Sequence, residues 1–318
     1  MLPPEDAWRR LEPHLRPLPA VTLPRRKALG RVLARPLTAT VDVPAADVSA
    51  MDGFALGGPA ARGVPLPVAG TVAAGEAPGR RLAEASVLRI MTGAPVPDGV
   101  DRVIPVERAR VTDEGKTVIF EAPGEAGSHI RRQGEVTRRG DELLPAGALL
   151  TAGALALLAT HGHAEVPVHR RPRVAILVTG DEVVHPEKTP GPGKLRDSHT
   201  DFAVAACRTF GVAAEPLGIV PDDRALLRER IEQGLDADVL LVSGGVSMGE
   251  FDLVEQVLQG LDCHILFDAV AIQPGKPLVA AVAAAHHEAD GSVSRGHALV
   301  FGLPGNPASA MVCFWLFV

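Results

Sequence analysis

The chain has 318 residues, enough for two or three domains with cores of their own. Hydrophobic residues make up 46% and charged residues 22%, as in an ordinary globular protein, and a net charge of −6 leaves no global basic field for nucleic acid or anionic membrane. Cys207, Cys263 and Cys313 are scattered and form no CxxC pair, which suits buried thiols in a reducing compartment better than a disulfide frame or a zinc knuckle. The start, "MLPPEDAWRRLEPHL", lacks the basic n-region and apolar core of a signal peptide, and no apolar run approaches the roughly 18 residues of a membrane span. The expectation is a cytoplasmic protein without nucleic-acid or membrane partners.

Taken in chain order, "EDAWRRLEPHL" and "RRKALGRVLA" predict helices in the first forty residues, and "TAGALALLATHG" predicts another at 151–162. Between them, "PLPVAGTVAAGEAPG", "VLRIMTGAPVPDG", "DRVIPVE" and "TVIFEAPGEAG" alternate short apolar stretches with Gly/Pro turns, a β-rich pattern. The β-rich part (41–137) reads as an insertion that splits a small helical domain into 1–40 and 138–170. From 171 to 318 strand-like and helix-like segments alternate: "RVAILVTG", "DFAVAACRTFG", "EPLGIV", "DDRALLRERIEQGL", "ADVLLVSGG", "EFDLVEQVLQGL", "HALVFGLPG" and "NPASAMVCFWLFV". That alternation predicts an α/β domain whose parallel sheet is covered on both faces. The predicted fold class is therefore α/β multidomain, with a discontinuous helical domain and an inserted β-rich domain preceding the α/β domain. In such sheets ligands gather at the carboxyl ends of the strands, at a topological switch point, which directs attention to the loops after Val178, Val242 and Phe301.

Those loops are rich in Gly and polar residues. Thr179-Gly180-Asp181-Glu182 follows the first strand, either as an Asx-type turn or as carboxylates for magnesium or a sugar hydroxyl. Asp197 or Ser198 precedes a helix and fits its N-cap, as Asp222 or Asp223 does the next one. Ser243-Gly244-Gly245 and Ser247 offer amides and hydroxyls at a helix start, although the loop matches neither GxGxxG nor GxxxxGK[ST]. Glu250 and Asp252 lie close by and would repel a bare phosphate, which suggests Mg²⁺ shared with phosphate oxygens. In Gln273-Pro274-Gly275-Lys276-Pro277 two prolines stiffen a loop bearing one lysine, a point charge suited to an oxyanion or simply a solvated turn. In Pro304-Gly305-Asn306-Pro307-Ala308-Ser309, Asn306 fits a cap, Pro307 the first helical position and Ser309 the first turn. Asp52-Gly53 and Thr92-Gly93 in the first half read as turns by periodicity. The histidines lack partners at metal-ligand spacing.

Nine segments in register, "SAMDGFA", "IMTGAPVPDGVDRVIPVE", "IRRQGE", "EVPVHRRPRVAILVTGDEVV", "LRDSH", "LGIVPDD", "SGGVSMGEFDLV", "AIQPGKPL" and "FGLPGNPASAMVCFWLFV", together resemble the MoeA/gephyrin E-domain family, the molybdopterin molybdenumtransferases. The resemblance covers nearly the whole chain. It implies a homodimer that takes adenylylated molybdopterin and molybdate, cleaves the adenylyl pyrophosphate bond with Mg²⁺ assisting, and leaves molybdenum on the dithiolene with AMP released. It also implies a helical dimerisation domain and a pathway partner, the molybdopterin adenylyltransferase, which the α/β domain resembles. Carried over by motif, catalytic roles fall on Asp52, Thr92, Glu182, Asp222 and Asp252. Pterin–nucleotide contacts fall on Asp197, Ser198, Ser243, Gly244, Gly245 and Ser247, and further binding positions on Gly275, Pro304, Gly305, Asn306 and Pro307. Lys276 and Ser309 match positions that hold molybdate, and Glu250 with Asp252 are the expected magnesium ligands.

The chain also departs from the family pattern. Val136 stands where an aspartate is usual, Ala269 and Gln273 where lysines are, and His199 where an asparagine follows the Asp-Ser pair. The sequence stops at Val318, where the family continues into a C-terminal β domain. These departures give weight to an alternative, a non-catalytic molybdopterin-binding or carrier protein.

Overall fold

The computed structural model describes residues 1–59, 62–244, 253–284, 286–287, 293–295 and 297–318. By contacts the chain divides into two compact units, Leu23–Pro167 and a second formed by Met1–Thr22 with Val168–Val318. The expected helical domain of 1–40 and 138–170 does not separate as a unit of its own. The reason lies in α1 (Pro4–Leu11), whose Ala7 and Leu11 are buried in the core of the α/β unit. Strand β1 (Ala20–Pro24) follows, and the chain then enters the inserted unit.

The segment "RRKALGRVLA" is not a helix. Only Arg25–Lys27 forms a 3₁₀ turn; Gly30 then adopts φ +69, and the amides of Gly30 and Leu33 bond the carbonyls of Leu150 and Ala148. The segment instead pairs with residues distant in the same chain, and the left-handed glycine ends any helical run. The β-rich expectation holds beyond it. Strands β2 (Gly53–Leu56), β3 (Pro65–Val72), β4 (Val87–Ile90), β5 (Arg102–Pro105), β6 (Ala109–Thr112) and β7 (Thr117–Phe120) form a six-stranded sheet in the order β5-β2-β4-β3-β7-β6. One face carries Phe54, Leu56, Ile104 and Phe120, the other Ala55, Leu88, Ile90 and Val103. Helix α2 (Ala152–Thr160) starts at Thr151, whose hydroxyl accepts the Ala154 amide at 3.2 Å, and β8 (Glu165–His169) leads out of the unit.

The second unit alternates as expected: β9 (Val174–Thr179), α3 (His199–Thr209), β10 (Ala214–Val220), α4 (Arg224–Gly234), β11 (Val239–Ser243) and α5 (Leu253–Gln259). Then come β12 (Cys263–Ala269), β13 (Pro277–Ala283), β14 (Ala298–Leu303) and α6 (Pro307–Phe317). The sheet order is β10-β9-β11-β14-β13-β12. β10, β9, β11 and β14 run parallel, while β13 is antiparallel to β14 and β12 to β13. The sheet is thus mixed, because β12 and β13 are joined by a short loop with no room for a crossover helix. Successive residues of the central strands point to opposite cores. Ile176, Leu241 and Phe301 pack with Ala203, Cys207, Phe314 and Phe317 from α3 and α6; Leu177, Leu240, Val242 and Val300 pack with Leu227, Ile231, Val254 and Leu258 from α4 and α5. Each such buried aliphatic side chain contributes about 1.5–3 kcal/mol. All three cysteines are buried, and burial pushes the Cys313 thiol up to about 11, as expected of thiols used as core.

At the amino ends of the strands, Asp238 accepts both Arg170 guanidinium nitrogens, at 2.6 and 2.7 Å, and the Arg173 amide at 2.7 Å. Burial pushes this carboxyl up, but the bonds from Arg170 and Arg173 outweigh it and hold it below the usual range. A depressed carboxyl stabilises the fold above its unfolded value, near 4, and loses that effect as pH falls through the folded value. We therefore expect Asp238→Asn to lower stability by about 1–2 kcal/mol at neutral pH, partial exposure discounting the pair, in urea titrations. The difference from wild type should shrink as pH drops below the carboxylate range; a constant difference would mean the charge contributes nothing.

Candidate active site

Order reverses between β9 and β11: from β9 the chain steps outward to β10, and it then returns to the other side at β11. Register places Val220 beside Thr179, Val178 beside Ser243, and Ser243 beside Leu303, so the loops after β10, β9, β11 and β14 open on one edge. This is the crevice that a doubly wound sheet offers a ligand.

After β9, the Thr179 hydroxyl donates to Asp222 Oδ1 at 2.9 Å, and the Asp222 amide donates to Asp181 Oδ1 at 3.2 Å. Asp223, rather than Asp222, caps α4 by accepting the Ala225 and Leu226 amides at 2.9 Å, which leaves the Asp222 carboxylate to Thr179. A Cβ built on Gly180 would lie 2.7 Å from Glu182 Oε2, so the Glu182 carboxyl folds over the strand end. By sequence Thr179 reads only as part of a turn. The signal that singles it out is a hydroxyl ending an otherwise apolar strand.

At the start of α3, Asp197 Oδ1 accepts the His199 and Thr200 amides at 2.9 and 3.1 Å, while the Ser198 side chain makes no capping bond. Asp197 is 7% exposed and Ser198 is exposed. The His199 ring turns across the crevice edge, its Nδ1 2.5 Å from Ser243 Oγ. Burial lowers the His199 pKa, opposed by the Asp197 carboxylate and by a hydrogen bond to the Gly305 backbone. His199 thus joins α3, β11 and the loop after β14. As a departure from the family pattern it gave no hint of that role.

Two expectations for the β11 loop change. The Ser243 hydroxyl is 1% exposed and bonded to His199, and the Gly244 amide is bonded to the Leu303 carbonyl at 3.3 Å. Neither faces the crevice as a donor. Gly244 instead serves close packing: with φ +92, a Cβ there would lie 2.1 Å from the Thr179 carbonyl oxygen. Gly245, Ser247, Glu250 and Asp252 lie outside the described residues.

After β14, Pro304 is buried, Asn306 Oδ1 caps α6 by accepting the Ser309 amide at 3.2 Å, and Pro307 takes the first helical turn. Ser309 is half-buried beside it. The loop between β12 and β13 reaches the same edge, because β13 runs antiparallel to β14 and begins at Pro277. Gly275 is buried there and its carbonyl accepts the Cys313 thiol at 3.3 Å; the Lys276 carbonyl accepts the Val270 amide at 3.0 Å. The lysine's base is therefore fixed while its ammonium end is exposed. The segment 270–277 contains no other cation.

In the inserted unit, Gly53 pairs with Ile90, which brings the residues just outside β2 and β4 together. Asp52 Oδ1 accepts the Thr92 amide at 2.6 Å and the Thr92 hydroxyl at 2.7 Å, and these bonds, the amide's first, hold the exposed carboxyl below its ordinary value. A side chain at position 53 would strike the Ile104 carbonyl, so the turn needs glycine. Of the departures, Val136 and Gln273 are exposed and Ala269 is buried. Among the described residues no three metal-ligating side chains cluster.

The fold and this edge define a class, the α/β domains that match the family description "Probable molybdopterin binding domain" over residues 175–318; residues 2–162 match "MoeA N-terminal region (domain I and II)". Among curated relatives, a molybdopterin molybdenumtransferase of Nostoc sp. is 37% identical over 92% of this chain and 66% of its own length. Another from Synechococcus elongatus is 38% identical over 93% and 73%, and one from Staphylococcus aureus 30% identical over 100% and 74%. A crystal structure of the molybdopterin biosynthesis moea protein from Pyrococcus horikoshii superimposes with a TM-score of 0.79 at 29% identity, covering 99% of this chain and 78% of that one. The chain belongs to the MoeA family, with the α/β multidomain architecture expected of it, and spans from just under two thirds to about three quarters of these relatives' length.

Proposed function

We propose that the protein inserts molybdenum into adenylylated molybdopterin, releasing AMP, in molybdenum cofactor biosynthesis. The observation that carries this reading is the convergence at one switch-point edge of the Thr179–Asp222–Asp181 chain, the Asp197–His199–Ser243 cluster and the loops bearing Lys276 and Ser309. The relatives' names support the same chemistry. In this reading the crevice takes the pterin–nucleotide phosphates near Asp197, Ser198 and Gly305. Lys276 supplies a fixed positive charge to molybdate, with Ser309 as a neighbouring donor. Asp52, kept ionised by Thr92, acts from the inserted unit, and Asp222 and Glu182 act from the α/β unit. A homodimer would let one subunit's Asp52 serve the other's crevice, and the adenylyltransferase would deliver the substrate in the cytoplasm.

Magnesium takes oxygen ligands and commonly binds through one or two carboxylates plus substrate phosphates. The linked carboxylates Asp181 and Asp222 fit that donor chemistry, and Glu250 and Asp252 are further candidates. Magnesium would neutralise charge on the phosphoanhydride. A second reading, a carrier that binds molybdopterin without turnover, draws on the single cation left in the 270–277 loop. Purified protein incubated with adenylyl-molybdopterin, Mg²⁺ and molybdate is expected to release AMP in step with substrate loss, read by chromatography. Tight binding without AMP would select the carrier; no binding would sink both.

A further inference from the structure

We infer that His199 is a positioning residue that couples arrival of the ligand's phosphate at the crevice to uptake of a proton, an inference that rests on the function proposed above. The ring has three partners on three elements. Its Nδ1 meets Ser243 Oγ from β11, Gly305 meets the ring from the loop before α6, and Asp197 approaches from the loop before α3. Among the described residues Asp197 is the one charged group acting on the ring; Ser243 and Gly305 bring none.

On this inference the neutral ring carries its proton on Nε2, leaving Nδ1 to Ser243, with the Gly305 backbone favouring the charged ring. In the neutral imidazole this leaves Nδ1 bare, and the Ser243 hydroxyl donates to it. When the ring gains a second proton, Nδ1–H donates and the same hydroxyl turns to accept. A hydroxyl can do either, so both charge states of His199 keep their partners. That is unusual for a partly buried titratable group, where one state is normally left with an orphaned atom.

At rest the neutral form is favoured. Burial lowers the pKa, and the position at the first turn of α3 sets the ring against the positive end of the helix dipole. A phosphate seated at the same edge reverses the balance, because a nearby opposite charge favours the cation. The crevice gains a positive charge only when its anion is present, and empty it does not hold a buried cation. The asparagine of the resembling family cannot do this.

The test compares wild type with His199→Asn and His199→Gln, using molybdopterin as the probe and calorimetry in two buffers of different ionisation enthalpy between about pH 6 and 8. Wild type is expected to take up more protons on binding than either variant. Its Kd should rise with pH more steeply, by up to about tenfold per unit. The phosphate's own ionisation affects all three proteins alike, so only the difference reads His199. In the ligand-free protein, ¹⁵N spectra should show the Nε2–H tautomer at about pH 8, with the Nδ1 signal shifted by Ser243→Ala. Equal proton uptake and equal pH slopes overturn the coupling alone, and an Nδ1–H tautomer overturns the bonding beneath it. Failure of wild type to bind molybdopterin at any pH overturns the functional reading and the coupling with it.

Discussion

Gly244→Val is expected to destabilise the α/β unit by about 3 kcal/mol or more, which urea or thermal unfolding would register as a large loss of midpoint. Two costs combine. The backbone sits at φ +92, where a β-branched residue is strained, and even a Cβ would lie 2.1 Å from the Thr179 carbonyl oxygen. That oxygen is backbone at the end of a central strand and cannot swing aside as a side chain would. The valine must therefore push β9 and β11 apart at their carboxyl ends, where Thr179 holds Asp222 and Ser243 holds His199. Any folded fraction should bind molybdopterin poorly. Gly191→Ala is the control, since a Cβ there meets nothing within 4 Å. Its effect should stay within about 0.5 kcal/mol. Equal stability of the two variants would mean that the strand ends are not packed as described.

Lys276→Ala is expected to raise the molybdate concentration for half-maximal AMP release about ten- to a hundredfold, the range for losing one charge-assisted contact. Molybdopterin affinity should hold. The backbone around Lys276 is clamped by Val270 and, through Gly275, by Cys313 of α6, so the ammonium group starts from a fixed base. With Gln273 and Ala269 supplying no charge, no neighbour within the loop can replace it. Lys276→Arg should recover part of the loss, because the charge returns with a different shape. An unchanged molybdate dependence in Lys276→Ala would remove the lysine from the oxyanion's surroundings.

Much of the α/β unit was legible because its strands are continuous apolar runs and its helices carry clear caps. Leu227, Ile231 and Leu235 are buried together as their spacing required, and Asn306 and Pro307 open α6 as their residue types required. What failed to show was whatever depends on partners distant in sequence. "RRKALGRVLA" has helical spacing, yet its amides bond residues 148–150. β12 and β13 look like any buried strands, and their antiparallel direction follows only from the short loop between them.

The site divides in the same way. Positions at strand ends were found by topology, but the sequence left Asp197 and Ser198 equal as caps, and likewise Asp222 and Asp223. Geometry separates each pair: Asp197 and Asp223 hold helix amides, and Asp222 is left to Thr179. Glycine spacing suggested an anion cradle at Gly244, whereas its amide is occupied and its lack of a side chain is what the packing uses. His199 was unreadable because its partners, Ser243 and Gly305, lie far along the chain.

The placement of α1 bears on how the chain is made. Ala7 and Leu11 bury against residues from β12, β13 and α6, and the Leu2 carbonyl accepts the Ala271 amide at 2.7 Å. During synthesis this helix emerges before the inserted unit, yet its packing partners emerge only after it. The inserted sheet, whose strands all lie within Leu23–Pro167, can close in the meantime. Domains generally fold as units when their residues are available, and long-range closure is slow. The apolar face of α1 must therefore wait uncovered while the inserted unit is made, an interval in which only transient partners can shield it.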